Sequence, residues 1–135
     1  MKLEFTLFIK STPEKIWNYY EDISLRKIWE VDLEEYNLYG DFVTGTEGNM
    51  KLTDLPAMDF VLLSVTKNKE FVDCTPTPFG DLVFGHEINE VTNGVEVTHS
   101  LELRNTHISE ESLETLNSIF DDTTGAVYKI KQAVE

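Results

Sequence analysis

The chain has 135 residues, of which 41% are hydrophobic and 11% aromatic, and a formal net charge of -14 at pH 7. This length and apolar content exclude intrinsic disorder and predict one domain over residues 1–135. The acidic balance argues against binding to nucleic acid or docking on anionic membranes, because both carry the same sign of charge. It also disfavours a strongly anionic ligand unless cations line the binding site.

The amino terminus shows no sign of export. Met1 precedes the mixed segment Lys2–Thr6, which has no apolar run of signal-peptide length, and no stretch has the apolar length of a bilayer-spanning helix. The single cysteine, Cys74, cannot form an internal disulfide, which suits a reducing compartment. We therefore expect a cytoplasmic protein that does not insert into membranes.

The first part of the chain predicts one strand and two short helices. Residues 3–9 alternate apolar and polar side chains, as a half-buried strand does. The segment 11–14 then supplies a hydroxyl cap, a proline at the first helical position and an acid in the first turn. A second helix runs from residue 23 or 24 to 29, and we expect Leu25, Ile28 and Trp29 to face inward.

The middle of the chain predicts antiparallel strands joined by turns. Pro76 and Pro78 are expected to interrupt the sheet, because proline cannot donate a ladder hydrogen bond. The dipeptide Asn93-Gly94 predicts a two-residue turn in the last hairpin, because both residues tolerate positive φ. The expected strands are residues 34–40, 49–53, 58–66, 70–75, 81–90 and 95–103.

The last part of the chain predicts one long helix. Ser109 is a suitable N-cap, and apolar residues follow at helical spacing to the end of the chain. Residues 121–125 are poor helix formers, so the helix is expected either to bend there or to leave room for a ligand beneath Gly125. The apolar stripe consists of Leu113, Leu116, Phe120, Val127, Ile130 and Val134.

This order of elements resembles the START-like, or SRPBCC, superfamily over the whole chain. The residues that carry the resemblance are segments 11–17, 40–46 and 93–98. The resemblance implies an α+β, helix-grip fold: a curved antiparallel sheet of six to seven strands wrapped around a long C-terminal helix, with two short helices after the first strand. It also implies a mostly apolar cavity between the sheet and the helix. No catalytic motif is shared across the superfamily, so the fold does not give a reaction.

Two histidines are expected on the apolar face of the last hairpin. With a two-residue loop at Asn93-Gly94, Ile88 faces His99 and His86 faces Leu101, which makes the two histidines diagonal neighbours with backbones about 7–8 Å apart. Three interpretations remain open: hydrogen-bonded core residues, a pair that orients a ligand or transfers protons, and a metal site. A metal site would need more ligands than this pair offers, so we predict none. Asp59 and Asp73 are expected to face outward.

Five further residues are candidates for the wall of the cavity. Trp29 is expected at its mouth, by resemblance to the layout of the superfamily. The other expected lining residues are Phe60, Phe84, Leu101 and Phe120.

We therefore predict a protein that binds a small hydrophobic molecule in a cavity between the curved sheet and the C-terminal helix, with His86 and His99 at its polar end. The alternatives are a polyketide cyclase or dehydratase that uses these histidines as acid and base, and a protein-interaction domain resembling the chaperone activators of the superfamily. No cofactor motif is present, so we expect no cofactor. The sequence leaves the oligomeric state open.

Overall fold

The computed structural model describes residues 1–135. Its seven strands form one antiparallel sheet in the order β1-β7-β6-β5-β4-β3-β2, and the three helices pack on one face of it. The α+β helix-grip arrangement predicted from the sequence is therefore confirmed. The elements are β1 (Lys2–Ile9), α1 (Pro13–Glu21), α2 (Ile23–Trp29), β2 (Leu33–Leu38), β3 (Glu47–Leu52), β4 (Met58–Thr66), β5 (Glu70–Thr77), β6 (Gly80–Val91), β7 (Gly94–Arg104) and α3 (Glu110–Val134).

The short helix α2 buries a different face from the one expected. Asp22 caps it by accepting from the backbone N–H groups of Ser24 and Leu25. Arg26 and Trp29, three residues apart and therefore on one side, are buried, whereas Ile28 is 45% exposed. The prediction that Ile28 faces inward is wrong, because the face that meets the sheet carries the arginine.

The last hairpin turns one residue earlier than expected. Val91 pairs with Gly94, so Thr92 and Asn93 form the turn, and only Asn93 has positive φ. Gly94 is part of the strand ladder. A larger residue would not fit there, because a Cβ would lie 2.5 Å from the backbone oxygen of Ile9 in β1. The pairing therefore shifts by two residues and sets His86 directly opposite His99. The expected pairing of Ile88 with His99 is wrong, but an even shift keeps every side chain on its expected face.

The structure corrects the expected positions of Pro76 and of Gly125. Pro76 lies within β5, paired with Asp81 of β6. The pairing of β5 with β4 ends at Cys74, so the edge of β5 that faces β4 is free at Pro76 and tolerates a residue without an N–H donor. Helix α3 is continuous through residues 121–125. At 100° per residue Gly125 lies half a turn away from the buried Leu116, so it faces away from the sheet and leaves no room beneath the helix.

The core lies between the helices and the face of the sheet that they cover, called the inner face below. A large cluster holds residues from all three helices, including Trp17, Tyr20, Trp29 and Val127. A small cluster of Leu82, Leu101, Leu103 and Leu116 lies apart from it, beneath the first half of α3. None of the helices is long and apolar enough to cross a membrane.

Candidate functional site

A buried arginine is the central feature of the inner face. Arg26 is 2% exposed, and its Nε and Nη2 donate to the backbone oxygen of Tyr20 at 3.1 and 2.6 Å. Its nearest carboxylate is that of Glu30, one helical turn later, at 4.0 Å from Nη1. The backbone carbonyl and the helix therefore hold the guanidinium in place, rather than a close ion pair.

Aromatic rings surround this guanidinium. Its central carbon lies 4.5 Å from the ring centroid of Tyr36, 5.0 Å from Phe71, 5.7 Å from Phe42 and 5.9 Å from Trp29. All four centroids are within the range of cation–π attraction, which is stronger where water is excluded. The rings stabilise the charge from several sides.

Strand β5 adds two polar side chains to the same region. Phe71 is fully buried on the inner face, and alternation along β5 puts Asp73 and Thr75 on that face as well. Asp73 pairs with Phe84 of β6 and Thr75 with Leu82, both of which point inward. The expectation that Asp73 faces outward is therefore wrong. Asp59 does face outward, exposed and accepting from the side chain of Asn49.

Two oxygen atoms on the inner face of β5 are buried and have no hydrogen-bond partner within the chain. They are Asp73 Oδ1 and Thr75 Oγ1, whereas the hydroxyl of Tyr36 hydrogen-bonds with the guanidinium of Arg26. Such atoms are uncommon in native proteins, because a buried polar atom that lacks a partner costs about 1–3 kcal/mol. We call Arg26, Tyr36, Asp73 and Thr75 the polar cluster.

Burial changes the ionisation of the cluster. It raises the pKa of Asp73 from 3.8 to about 7, although the charge of Arg26 acts in the opposite direction. Desolvation by burial also raises the pKa of Tyr36 and of Glu30, again against the effect of Arg26. The carboxyl of Asp73 is therefore partly protonated near neutral pH, and in that form it can donate as well as accept a hydrogen bond.

The two predicted histidines lie together in the core beside the cluster. Their ring centroids are 4.7 Å apart and nearly perpendicular. Tyr20 Oη lies 2.8 Å from His99 Nε2, and His86 Nδ1 donates to the backbone oxygen of Phe71 at 3.1 Å. The ring of Phe71 stacks on His86 with centroids 3.8 Å apart. Side chains therefore fill the space around both imidazoles.

Both imidazoles are neutral in this environment. Desolvation lowers the pKa of His86 well below its ordinary value and that of His99 to about 3. The same effect raises the pKa of Tyr20, so its phenol stays protonated and shares a hydrogen bond with His99. The pair thus has hydrogen-bond partners inside the protein, and its suggested role toward a ligand or in proton transfer stays a prediction.

The other predicted lining residues fall into two groups. Trp29 and Phe60 belong to the large core cluster, where Trp29 Nε1 donates to the backbone oxygen of Tyr19 and Phe60 stacks on Tyr36 with centroids 5.1 Å apart. Leu101, Phe84 and Phe120 belong to the small cluster beneath the first half of α3. The role of the seven candidates as the wall of a ligand cavity stays a prediction.

Two concavities lie on the opposite, outer face of the sheet. The larger, of about 500 Å³, is lined almost entirely by polar side chains that include Thr6, Glu70, Glu87 and Thr98. The smaller, of about 80 Å³, lies beside Ser100 and Glu102. No group of three or more His, Cys, Asp or Glu residues is arranged to hold a metal ion.

Sequence reasoning missed the polar cluster, and the strand register of the structure is what reveals part of it. Phe71 pairs with His86 in the register of β5 and β6. Once His86 is assigned to the inner face, its directly opposite neighbour must share that face, and alternation then carries Asp73 and Thr75 inward. Arg26 gave no such signal, because an arginine on a short helix is usually exposed.

Comparisons with known proteins show the fold alone. No model of a known protein family matches the sequence, and no curated protein matches it. Among solved structures, it is similar to protein MLL2253 from Mesorhizobium loti, with 14% identity, a TM-score of 0.80, and coverage of 98% of this chain and 95% of that one.

Two further solved structures extend the similarity. The Aha1 dimer from Colwellia psychrerythraea has 17% identity and a TM-score of 0.73, with 100% of this chain and 96% of that one covered. Ara h 8.0201 has 8% identity and a TM-score of 0.75, with 98% and 96% covered. These similarities confirm the helix-grip fold predicted from the sequence.

Proposed function

We propose that this protein binds a small, mostly apolar molecule with a polar group, in the interior between the inner face of the sheet and the helices. The observation that carries the proposal is the pair of buried oxygens of Asp73 and Thr75 that have no hydrogen-bond partner within the chain. Valine would have nearly the same shape as threonine without the cost of an unmade hydrogen bond. A ligand with a polar group would supply the missing hydrogen-bond partners of these oxygens.

The surroundings of the cluster suit the apolar part of such a molecule. Tyr36 stacks on Phe60, and both belong to the aromatic wall that continues to Trp29. The cluster is close to solvent at one side, since the side chain of Glu30 is 28% exposed. Binding sites for small molecules commonly combine an apolar wall with a few polar groups that fix orientation. Each imidazole already has one hydrogen-bond partner within the chain, so we place the polar end of the site at the cluster.

Two conservative variants test the proposal. Thr75→Val removes an unpartnered oxygen and Tyr36→Phe removes the hydroxyl beside Arg26, and both keep the shape of the side chain. We expect the free energy of unfolding of Thr75→Val to stay the same or rise by about 1 kcal/mol, because an unsatisfied buried group is removed. Binding of decanol, followed by NMR chemical-shift titration of backbone amides, should weaken about tenfold in each variant, which is the effect of one lost hydrogen bond.

The control for these variants is Tyr39→Phe, which removes a phenol oxygen at a side chain that is 66% exposed. It should change neither stability nor binding. Native mass spectrometry of the protein purified from its own host should also show a bound small molecule. A loss of stability in Thr75→Val with unchanged decanol binding would refute the proposal, because its hydroxyl would then have a structural partner.

A second candidate is a protein-interaction role, favoured by one end of the sheet. The antiparallel order brings the α2–β2, β3–β4, β5–β6 and β7–α3 loops to the same end. Each loop exposes one apolar side chain with a carboxylate within two residues of it. The apolar residues are Val31, Leu55, Phe79 and Ile108, and the carboxylates are those of Asp32, Asp54, Asp81 and Glu110.

This combination suits a positively charged, amphipathic segment of another protein. A synthetic amphipathic peptide of lysine and leucine is a suitable probe. It should bind the wild type with an affinity that falls with salt, and the double variant Leu55→Ser, Phe79→Ser should bind it at least about tenfold more weakly. Equal binding by the wild type and the double variant would exclude this end of the sheet as the docking surface.

A further inference from the structure

The carbonyl oxygen of Tyr20 takes its hydrogen bonds from Arg26 rather than from the backbone. Tyr20 lies in the last turn of α1, where backbone carbonyls have no partner within the helix. The N–H of Ser24 would bond this carbonyl if the helix continued, but it donates to the Asp22 carboxylate instead. The end of a helix also carries partial negative charge. The position therefore attracts a cation that donates hydrogen bonds, as Arg26 does at 3.1 and 2.6 Å.

The four rings around this guanidinium are held in place by contacts that do not involve it. Tyr36 stacks on Phe60 with centroids 5.1 Å apart. The rings of Phe42 and Phe71 pack edge to face at 5.3 Å, and Trp29 Nε1 donates to a backbone oxygen of α1 at 2.7 Å. The arrangement is therefore preorganised around its occupant. We call it the guanidinium cage, and its members are the rings of Trp29, Tyr36, Phe42 and Phe71 and the carbonyl of Tyr20.

We infer that the guanidinium cage is a binding site for a monosubstituted guanidinium ion, which this chain fills with its own Arg26. The inference does not rest on the proposed function, because the contacts of the arginine alone define the cage. A guanidinium ion presents flat faces to the rings and a planar set of N–H donors to the carbonyl. An ammonium ion is compact and strongly hydrated. A urea has a similar shape but no charge for the rings to attract. The cage therefore selects guanidinium over both.

Removing the occupant tests the inference. Arg26→Ala removes the atoms of an ethylguanidinium ion and leaves every member of the cage unchanged. N-ethylguanidinium, ethylammonium and N-ethylurea are each added at millimolar concentrations, and the midpoint of thermal unfolding is followed by circular dichroism. We expect N-ethylguanidinium to raise the midpoint as its concentration rises, because a ligand that binds only the folded state stabilises it. Its dissociation constant, measured by NMR titration, should be at least about tenfold lower than those of the other two.

A variant that does not fold by itself also gives a result. Circular dichroism should then show that N-ethylguanidinium restores the folded spectrum of Arg26→Ala, whereas ethylammonium and N-ethylurea do not. The double variant Arg26→Ala, Tyr36→Leu lacks the ring nearest the guanidinium. It should bind N-ethylguanidinium about tenfold more weakly than Arg26→Ala, since one cation–π contact is lost.

Two controls connect the effect to the cage. The wild type, in which the cage is full, should show no rise in midpoint with N-ethylguanidinium. Lys27→Ala, which removes a cation from the exposed side of the same helix, should show none either.

Three outcomes would overturn the inference. The first is equal stabilisation of Arg26→Ala by all three probes, because the cage would then not distinguish guanidinium. The second is no stabilisation and no recovery of fold by N-ethylguanidinium. The third is an equal rise in the midpoint of the wild type, because the ion would then bind elsewhere. Decanol binding to the wild type tests the proposed function separately, so the two can fail independently.

Discussion

Replacing Asp73 by asparagine is the most informative single change, because this carboxyl destabilises the folded state when it ionises. Its pKa rises from 3.8 to about 7 on folding, chiefly because burial penalises the charge. The folded state therefore binds the proton more tightly than the unfolded state. Under proton linkage, the free energy of unfolding must fall as pH rises through the interval between the two values.

The magnitude follows from the same two pKa values. Each pKa unit corresponds to about 1.4 kcal/mol, so raising the pKa from 3.8 to about 7 costs about 4 kcal/mol once the group is fully ionised. Below pH about 4 both states are protonated and the cost vanishes. Asp73→Asn keeps the shape and cannot ionise, so its stability relative to the wild type should rise by up to about 4 kcal/mol between pH about 4 and about 8.

Urea denaturation followed by tryptophan fluorescence at a series of pH values measures this difference. The matched control is Asp59→Asn, because Asp59 is an exposed carboxylate on the outer face of the sheet. Its difference from the wild type should stay within about 0.5 kcal/mol over the same range, as surface substitutions usually do. A difference between Asp73→Asn and the wild type that does not change with pH would refute the assignment of a buried, unpaired carboxyl.

Three further changes test the packing around the site. His99→Gln should reduce the loss of stability in acid, by about 3 kcal/mol at pH about 4.5, because burial lowers the pKa of His99 to about 3 and the wild type loses stability as pH falls below about 6.5. Arg26→Met should lower the free energy of unfolding, measured by urea denaturation, by about 2–4 kcal/mol, because the buried carbonyl of Tyr20 loses both of its donors. The control Lys27→Met, on the exposed side of the same helix, should lower it by less than about 0.5 kcal/mol. Gly48→Ala should cost about 2–4 kcal/mol by the same assay, because its Cβ would lie 2.6 Å from a backbone oxygen, whereas Gly125→Ala should stabilise α3 by up to about 1 kcal/mol.

Sequence periodicity correctly predicted the face of the sheet on which each residue of the last hairpin lies. It did not predict which residue of the opposite strand each one pairs with. Alternation assigned His86 and His99 to the inner face, and that assignment holds even though the turn begins one residue earlier. The turn could not be predicted from Asn93-Gly94 alone, because Gly94 serves the close approach of β1 rather than a positive φ. That contact joins residues far apart in sequence, so no local pattern reports it.

The polar cluster could not be predicted for a different reason. Hydropathy assigns Arg26 and Asp73 to the surface, and each is buried through contacts made by other elements. The arginine depends on the carbonyl of Tyr20 at the end of α1 and on aromatic rings from β2 and β5. Local sequence patterns therefore predict the strands, the helices and their apolar faces, whereas the burial of charged side chains depends on tertiary packing.

The interior contains two kinds of buried polar group, and they call for different explanations. His86, His99 and Tyr20 have hydrogen-bond partners within the chain, so folding alone accounts for them. The open oxygens of Asp73 and Thr75 have none, and valine in place of Thr75 would remove that cost at one of them. Natural proteins accept such local costs mainly where function requires them. The part of the interior that destabilises the fold is therefore the part to which a ligand should bind.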